Sequence, residues 1–217
     1  MNSQTERLTL QGPAGAIEVA RDAASVPDGG TPRGVAVIAL PHPLFGGTMD
    51  NKVVQTLARA FVQCGWTAVR FNFRGVGATQ GVHDEGRGEL QDLLAVVEQV
   101  APAGDGAQPL ALAGFSFGAF VTSHALATLW PQRHIDRAVL VGTAASRFTV
   151  APVPPEAHLR TLVVHGEQDD TVALSAVMDW ARPQTLPVTV VPGGGHFFHG
   201  QLPLLKNLVV RHLQSAL

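Results

Sequence analysis

A serine flanked by glycines is the strongest candidate for a chemically reactive group in this sequence. The segment reads Gly114-Phe115-Ser116-Phe117-Gly118; an apolar run precedes it and a helical pattern follows it. A G-x-S-x-G segment between a strand and a helix forms a sharp turn that exposes the serine hydroxyl at a helix N-terminus, where the helix dipole favours developing negative charge. We therefore predict that Ser116 is a nucleophile. The alternative is a glycine-rich turn that holds an incidental serine.

Two adjacent carboxylates could supply the acid that a serine nucleophile and its base require. Asp169 and Asp170 follow the apolar run Leu162–His165. A buried carboxylate at the end of a strand can orient an imidazole and stabilise its cation. Both residues could instead be turn or helix-capping residues.

The base is expected among the histidines near the C-terminus. His196 follows three glycines after the apolar run Val188–Val191, and His199 stands three residues later. The glycines would let this loop reach over the sheet and hold an imidazole near the serine. An isolated histidine is otherwise more often a surface or core residue than a catalyst.

Short apolar runs alternate with helical patterns along most of the chain. The predicted strands are Val35–Leu40, Thr67–Phe71, Leu110–Ala113, Ala138–Val141, Leu162–His165 and Val188–Val191. Helical spacing predicts helices over Asp50–Cys64, Leu90–Val100, Phe117–Leu129 and Leu202–Leu213, and Leu8–Leu10 with Ile17–Val19 could form a hairpin at the sheet edge. The alternation predicts an α/β fold with a mostly parallel central sheet and helices on both faces. Ligands of such sheets bind beyond the carboxyl ends of the strands, where the candidates lie.

Five segments in this order resemble the α/β-hydrolase superfamily, and more narrowly the small bacterial serine α/β-hydrolases that carry no lid domain. They are PHPLFGG at 41–47, RFNFRG at 70–75, the serine turn, HGEQD at 165–169 and GH at 195–196. The resemblance extends from about Val35 to the C-terminus. It implies the α/β-hydrolase fold, in which the catalytic residues follow the chain order serine, acid, histidine.

The resemblance also distinguishes between the neighbouring candidates. The pattern His-Gly-x-x-Asp selects Asp169, with Asp170 as the rival one residue away. The chain order selects His196 as the base, and we expect His199 to lie inside the next helical turn. Arg74 resembles part of an Arg-Gly-x-Gly loop and is expected to brace the loops by pairing with a carboxylate or with carbonyls.

An oxyanion hole needs two backbone N–H groups. The first should be that of Phe117, directly after the nucleophile. Related enzymes take the second from a His-Gly-x segment after an early strand, whereas this chain has His42-Pro43-Leu44. Because Pro43 has no N–H, we predict Leu44 as the second donor and keep Phe45 as the alternative.

Composition excludes several other classes of function. The chain has 217 residues, of which 46% are hydrophobic and 15% charged, and its net charge is −2. Lysine and arginine are scattered, so nothing indicates a nucleic acid or a membrane as partner. The N-terminal residues are polar, unlike a signal peptide, and no apolar stretch reaches the roughly 20 residues of a membrane helix. With the single cysteine, Cys64, which we expect to be buried and structural, these features predict a cytoplasmic protein.

We predict acyl transfer to water by a serine hydrolase, specifically a carboxylesterase for small soluble esters. Ser116 would attack the carbonyl while His196 takes its proton, with Asp169 orienting that imidazole and the amides of Phe117 and Leu44 holding the oxyanion. No cofactor is needed, and the histidines lack paired metal-ligand spacing. The alternatives are a thioesterase, an amidase or peptidase of the same fold, and a non-catalytic binding or scaffold protein.

The chain shows no repeat and no long linker, so we predict one domain over residues 1–217. Cap domains of this fold are commonly inserted after the strand that here is Ala138–Val141. Only Gly142–Arg160 separates that strand from the next, and it has no long helical stripe. We therefore expect no cap domain. The oligomeric state is not predicted.

Overall fold

The apolar runs of the sequence form the strands of one central sheet. The computed structural model describes residues 5–27 and 29–216. Within them lie eight strands: β1 (Thr5–Gly12), β2 (Gly15–Asp22), β3 (Gly34–Ala39), β4 (Trp66–Phe71), β5 (Leu110–Phe115), β6 (Ile135–Val141), β7 (Thr161–Gly166) and β8 (Val188–Val191). Their order in the sheet is β1-β2-β4-β3-β5-β6-β7-β8. Strands β3 to β8 pair in parallel, whereas β2 pairs antiparallel with both β1 and β4.

Five α-helices pack against this sheet in the described part of the chain. They are α1 (Lys52–Gln63), α2 (Arg87–Val100), α3 (Phe117–Leu129), α4 (Leu174–Ala181) and α5 (Leu202–Gln214). Helix α1 packs against α5, and α2 packs against α3, so that helices cover both faces of the sheet. Short 3₁₀ helices lie at Pro43–Phe45, Pro155–Arg160 and Arg182–Gln184. None of the helices formed by the described residues is long and apolar enough to cross a bilayer.

The core lies around the central strands, which are buried on both faces. Every residue of β3, β4 and β5 is buried. This explains why those segments read as continuous apolar runs instead of alternating ones. Aromatic side chains fill the space between sheet and helices, among them Trp66, Phe61 and Phe117. Since the carboxyl ends of the parallel strands all face one edge, the loops after them meet there.

The observed elements confirm the predicted α/β-hydrolase fold without a cap domain. Between β6 and β7 the only helical segment is the short 3₁₀ helix Pro155–Arg160. The predicted N-terminal hairpin is present, with both strands longer than expected.

Three local features differ from the sequence-based expectation. Helix α4 was not predicted, because its eight residues are too few to establish a helical period. Strand β2 extends to Asp22, beyond the expected Val19, and the buried carboxylate of Asp22 accepts hydrogen bonds from Arg70 Nε and Nη2 at 3.2 and 3.0 Å. Cys64 follows α1 and is half-buried, and burial raises the pKa of its thiol.

Candidate active site

Ser116 stands in the turn between β5 and α3 with an unusual backbone conformation. Its φ is 58° and its ψ is −117°, a region that residues other than glycine seldom occupy. The turn is held by the Ser116 amide, which donates to Val141 O at 2.8 Å. Glycines on either side make the turn possible, since a Cβ on Gly114 would collide with the Gly118 carbonyl and a Cβ on Gly118 with that of Leu40. The conformation directs the hydroxyl beyond the end of β5, toward His196.

The imidazole of His196 lies between Ser116 and Asp169. Ser116 Oγ donates to His196 Nε2 at 2.9 Å, and His196 Nδ1 donates to Asp169 Oδ2 at 2.7 Å. All three residues are buried. The two contacts agree with a neutral imidazole protonated at Nδ1, which leaves Nε2 able to accept the serine proton. The structure thus brings together the three residues that the sequence singled out for this chemistry.

Asp169 is held by backbone amides as well as by the imidazole. Its Oδ1 accepts hydrogen bonds from the amides of Thr171 at 2.9 Å and Val172 at 2.7 Å. Burial alone would raise the pKa of Asp169, but the hydrogen bonds from His196 and from the Val172 amide outweigh it and hold that pKa below its ordinary value. The carboxylate therefore stays ionised at neutral pH and can stabilise an imidazolium beside it.

The loops that carry the acid and the base touch each other. The Gln168 amide donates to Gly194 O at 2.8 Å, and the Glu167 amide donates to Val191 O at 3.0 Å. A Cβ on Gly166 would collide with the Gly194 carbonyl, so glycine permits this approach. This contact sets the position of His196 relative to Asp169.

The two rival residues lie outside this hydrogen-bonded chain. Asp170 is exposed, and its Oδ1 accepts from Thr171 Oγ1 at 3.3 Å. His199 is also exposed, and it lies in a turn before α5, not inside a helical turn as expected, because α5 begins only at Leu202. Within the described residues, no group of three or more His, Cys, Asp or Glu side chains is placed to hold a metal ion.

The amides considered for the oxyanion hole differ in their present partners. Phe117 is the first residue of α3, where a backbone N–H has no acceptor inside the helix. The Leu44 amide donates to His42 Nδ1 at 3.2 Å, and the Phe45 amide donates to His42 O at 3.1 Å. Both of the latter bonds belong to the 3₁₀ turn after β3. The assignment of Leu44, with Phe45 as the alternative, therefore stays a prediction.

Arg74 braces the loop after β4, as the sequence predicted. Its Nε and Nη2 donate to Asp92 Oδ2 and Oδ1, both at 2.8 Å. This bidentate pair joins the loop to helix α2 and raises the pKa of the guanidinium. Arg74 does not line the cavity at Ser116.

A cavity of about 340 Å³ opens beside Ser116 and His196. Its lining residues are Pro41, His42, Phe45, Gly46, Gly47, Asn51, Ser116, Arg147, Thr171, His196 and Phe197. Sequence reasoning did not single out Asn51, Arg147, Thr171 or Phe197, because no motif marks them and their loops meet only in the folded chain. Phe45 is 72% exposed at this site and Phe197 is 43% exposed.

Comparison with known proteins agrees with this architecture. Residues 36–154 match the family model described as serine aminopeptidase, S33. A structure from Xanthomonas campestris, described as an α/β serine hydrolase without lid, matches at 37% identity with a TM-score of 0.86, covering 99% of this chain and 95% of that one. An α/β serine hydrolase homologue from Coxiella burnetii matches at 38% identity with a TM-score of 0.78, covering 96% and 97%. An uncharacterized protein of Rickettsia prowazekii is 28% identical over 205 residues, covering 88% of this chain and 82% of that protein.

Proposed function

This chain belongs to the serine aminopeptidase S33 family of α/β serine hydrolases, and on that premise we propose that it is a carboxylesterase with Ser116 as its nucleophile. The observation that carries the proposal is the hydrogen-bonded chain from Ser116 through His196 to Asp169 beside an uncapped cavity. A serine hydroxyl becomes nucleophilic only when a neighbouring base can take its proton.

The reaction follows from these contacts in two halves. Ser116 Oγ attacks the ester carbonyl while its proton passes to His196 Nε2, and Asp169 stabilises the resulting imidazolium. The carbonyl oxygen becomes an oxyanion that accepts hydrogen bonds from the Phe117 and Leu44 amides. Collapse expels the alcohol, which takes the proton from His196. Water activated by the same imidazole then releases the acid and restores the serine.

The size and the openness of the cavity favour small soluble esters. A volume of about 340 Å³ is at the lower end of the range for small-molecule sites. The segment between β6 and β7 contributes no cap over it. The rings of Phe45 and Phe197 offer apolar surface to a short acyl or alcohol group.

Peptide hydrolysis is the second candidate, because the family is described as serine aminopeptidase. An aminopeptidase must bind a free α-ammonium group, which requires a carboxylate or several acceptors near the scissile bond. Among the described residues that line the cavity, no side chain carries a carboxylate. Asp169 is buried and already accepts hydrogen bonds on both oxygens. These contacts favour an ester over a peptide with a free N-terminus.

A fluorophosphonate probe tests the nucleophile, since it reacts only with a serine whose proton can be taken. We expect stoichiometric labelling at Ser116, none in Ser116→Ala, and labelling slowed by orders of magnitude in His196→Ala. His199→Ala is the matched control and should label normally. Absence of labelling in the folded wild type would favour a binding or scaffold protein, and labelling that survives His196→Ala would mean that another base serves Ser116.

Chromogenic esters and anilides test which type of bond the protein hydrolyses. We expect 4-nitrophenyl acetate and butyrate to be hydrolysed, and the 4-nitroanilides of alanine and leucine to be left intact. Preferential turnover of the anilides would establish the aminopeptidase instead.

A further inference from the structure

The cavity beside Ser116 contains an arginine that has no acidic partner. Arg147 is exposed and lines the same cavity as Ser116 and His196. Within the described residues no carboxylate oxygen lies within 4.0 Å of its guanidinium, in contrast to Arg70 and Arg74, which pair with buried aspartates. Its donors are therefore available to a ligand.

The guanidinium of Arg147 packs on an aromatic side chain of the cavity wall. It lies 5.7 Å from the ring centroid of Phe45, a distance at which a cation and an aromatic ring attract. The Phe45 ring lies edge-on to His42, with 4.8 Å between the two centroids. This packing leaves the planar N–H groups at the cavity, where their fork geometry suits a carboxylate.

Among the described residues that line the cavity, Arg147 is the only lysine, arginine, aspartate or glutamate, whereas the whole chain carries a net charge of −2. The described lining residues include no aspartate or glutamate. Burial lowers the pKa of His42, and the nearby Arg147 lowers it further, against an opposing contribution from Glu89. The field of Arg147 thus extends across the wall that faces Ser116.

We propose that Arg147 is a specificity-determining residue that binds a carboxylate of the substrate, so that the preferred esters carry a negative charge close to the scissile bond. The inference rests on the proposed esterase function and assigns its substrate class. The carboxylate could belong to the acyl portion or to the alcohol portion of the ester, because Arg147 would bind the same group in either case.

Two pairs of esters, each with a charged and a neutral member of similar size, test the effect of charge. On the acyl side, 4-nitrophenyl hemiglutarate is compared with 4-nitrophenyl pentanoate. On the alcohol side, 4-carboxyphenyl acetate is compared with its methyl ester. For each pair, the ratio of kcat/KM for the charged ester to that for the neutral one is measured in wild type and variants, so that differences in intrinsic reactivity cancel.

Three variants separate the charge of Arg147 from its packing on Phe45. Arg147→Met keeps an unbranched stem over the ring and removes the charge, whereas Arg147→Lys keeps the charge. Arg211→Met removes the charge of an exposed arginine of α5 that does not line this cavity, and controls for net charge.

We expect Arg147→Met to lower the charged-to-neutral ratio at least fivefold for one of the two pairs, which corresponds to about 1 kcal/mol. Arg147→Lys, which keeps the charge but lacks the planar fork, should retain part of the ratio, and Arg211→Met should leave it unchanged. The wild-type ratio should also fall as salt is raised, because exposed charges are screened. The pair that responds identifies the side of the ester that carries the carboxylate. An unchanged ratio for both pairs in Arg147→Met would overturn the inference.

A binding measurement keeps this inference separate from the esterase proposal. Monomethyl glutarate is titrated by calorimetry into Ser116→Ala and into Ser116→Ala/Arg147→Met, neither of which can turn it over. We expect at least fivefold weaker binding in the double variant, and equal binding would count against the role of Arg147. If no ester is hydrolysed by the wild type but this difference is found, the esterase proposal fails while the anion site stands. If esters are hydrolysed without any preference for charge, only the anion site fails.

Discussion

Nε2 of His165 lies 3.4 Å from Oδ2 of Asp169, the same oxygen that accepts the hydrogen bond from His196. His165 is completely buried at the end of β7, and burial lowers its pKa, so the ring is neutral. Its Nε2–H donates to Val172 O at 2.8 Å, while the Val172 amide donates to Asp169 Oδ1 at 2.7 Å. His165 and Val172 therefore hold the loop that presents Asp169 to the base.

The first prediction treats His165 as a positioning residue. His165→Phe keeps a ring of similar size but loses the donor to Val172 O, so the Asp169 loop is no longer held. We expect kcat for 4-nitrophenyl acetate to fall about tenfold or more with little change in KM. The acid limb of the kcat/KM pH profile should move to lower pH, because a displaced carboxylate stabilises the imidazolium less. His165→Gln, which keeps a donor, should recover part of the rate. An unchanged pH profile in His165→Phe would reduce its role to packing.

The second prediction separates the two adjacent carboxylates. Asp169→Asn should lower kcat by about a thousandfold or more, because the imidazole loses the anion that orients it and stabilises its cation. Asp170→Asn should have far less effect, since that side chain is exposed and bonds only to Thr171. Steady-state kinetics on one ester measure both variants. The reverse result would show that the acid is Asp170.

The third prediction concerns the second oxyanion donor. Replacing a residue by its α-hydroxy acid exchanges one backbone N–H for oxygen and leaves the side chain in place. The exchange at Leu44 should lower kcat about a hundredfold to a thousandfold, as the loss of one oxyanion donor does elsewhere. At Phe45 the effect should be small. A larger loss at Phe45 would move the donor by one residue along the 3₁₀ turn.

The fourth prediction follows from the absence of a cap between β6 and β7. A site that is already open gains nothing from contact with an interface, so the rate should rise smoothly with ester concentration. The measurement is the initial rate on a short ester from below to above its solubility limit. A jump in rate at the point where droplets or micelles form would contradict an open site.

The fifth prediction links stability to the pH through His212. Burial lowers the pKa of this imidazole to about 4 in the folded chain, against 6.5 when it is exposed. Between these values the unfolded state binds a proton that the folded state does not, so the folded state loses stability as the pH falls from 6.5 to 4. The loss from this group is about 3 kcal/mol. Denaturant unfolding at several pH values should show a flatter profile for His212→Gln, whereas His134→Gln, at an exposed histidine, should follow the wild type.

The sequence predicted all the strands and every α-helix of the described residues except α4, because their signals are local. It also predicted the three residues in the hydrogen-bonded chain, with the family resemblance deciding between Asp169 and Asp170. The turn at Ser116 needs glycine at 114 because a Cβ there would meet the Gly118 carbonyl, a reason that acts within five residues, whereas Gly118 is required by the more distant Leu40 carbonyl. The strands before Asp169 and His196, β7 and β8, are mainly apolar runs, so the ends of these strands could be located. The order of these residues along the chain then matched one known fold.

Only the tertiary structure determined which residues line the cavity. Arg147 lies in a segment without any motif, and it becomes a wall residue because its loop folds against the turn that carries Phe45. Similarly, the buried pairing of Asp22 with Arg70 joins residues 48 positions apart. The second oxyanion donor depends on the folded turn in the same way, because Leu44 and Phe45 both carry a backbone N–H and the two differ in the direction of that N–H. Contacts between loops depend on how the strands are arranged in the sheet. The residue types within a single loop do not determine which other loop lies beside it.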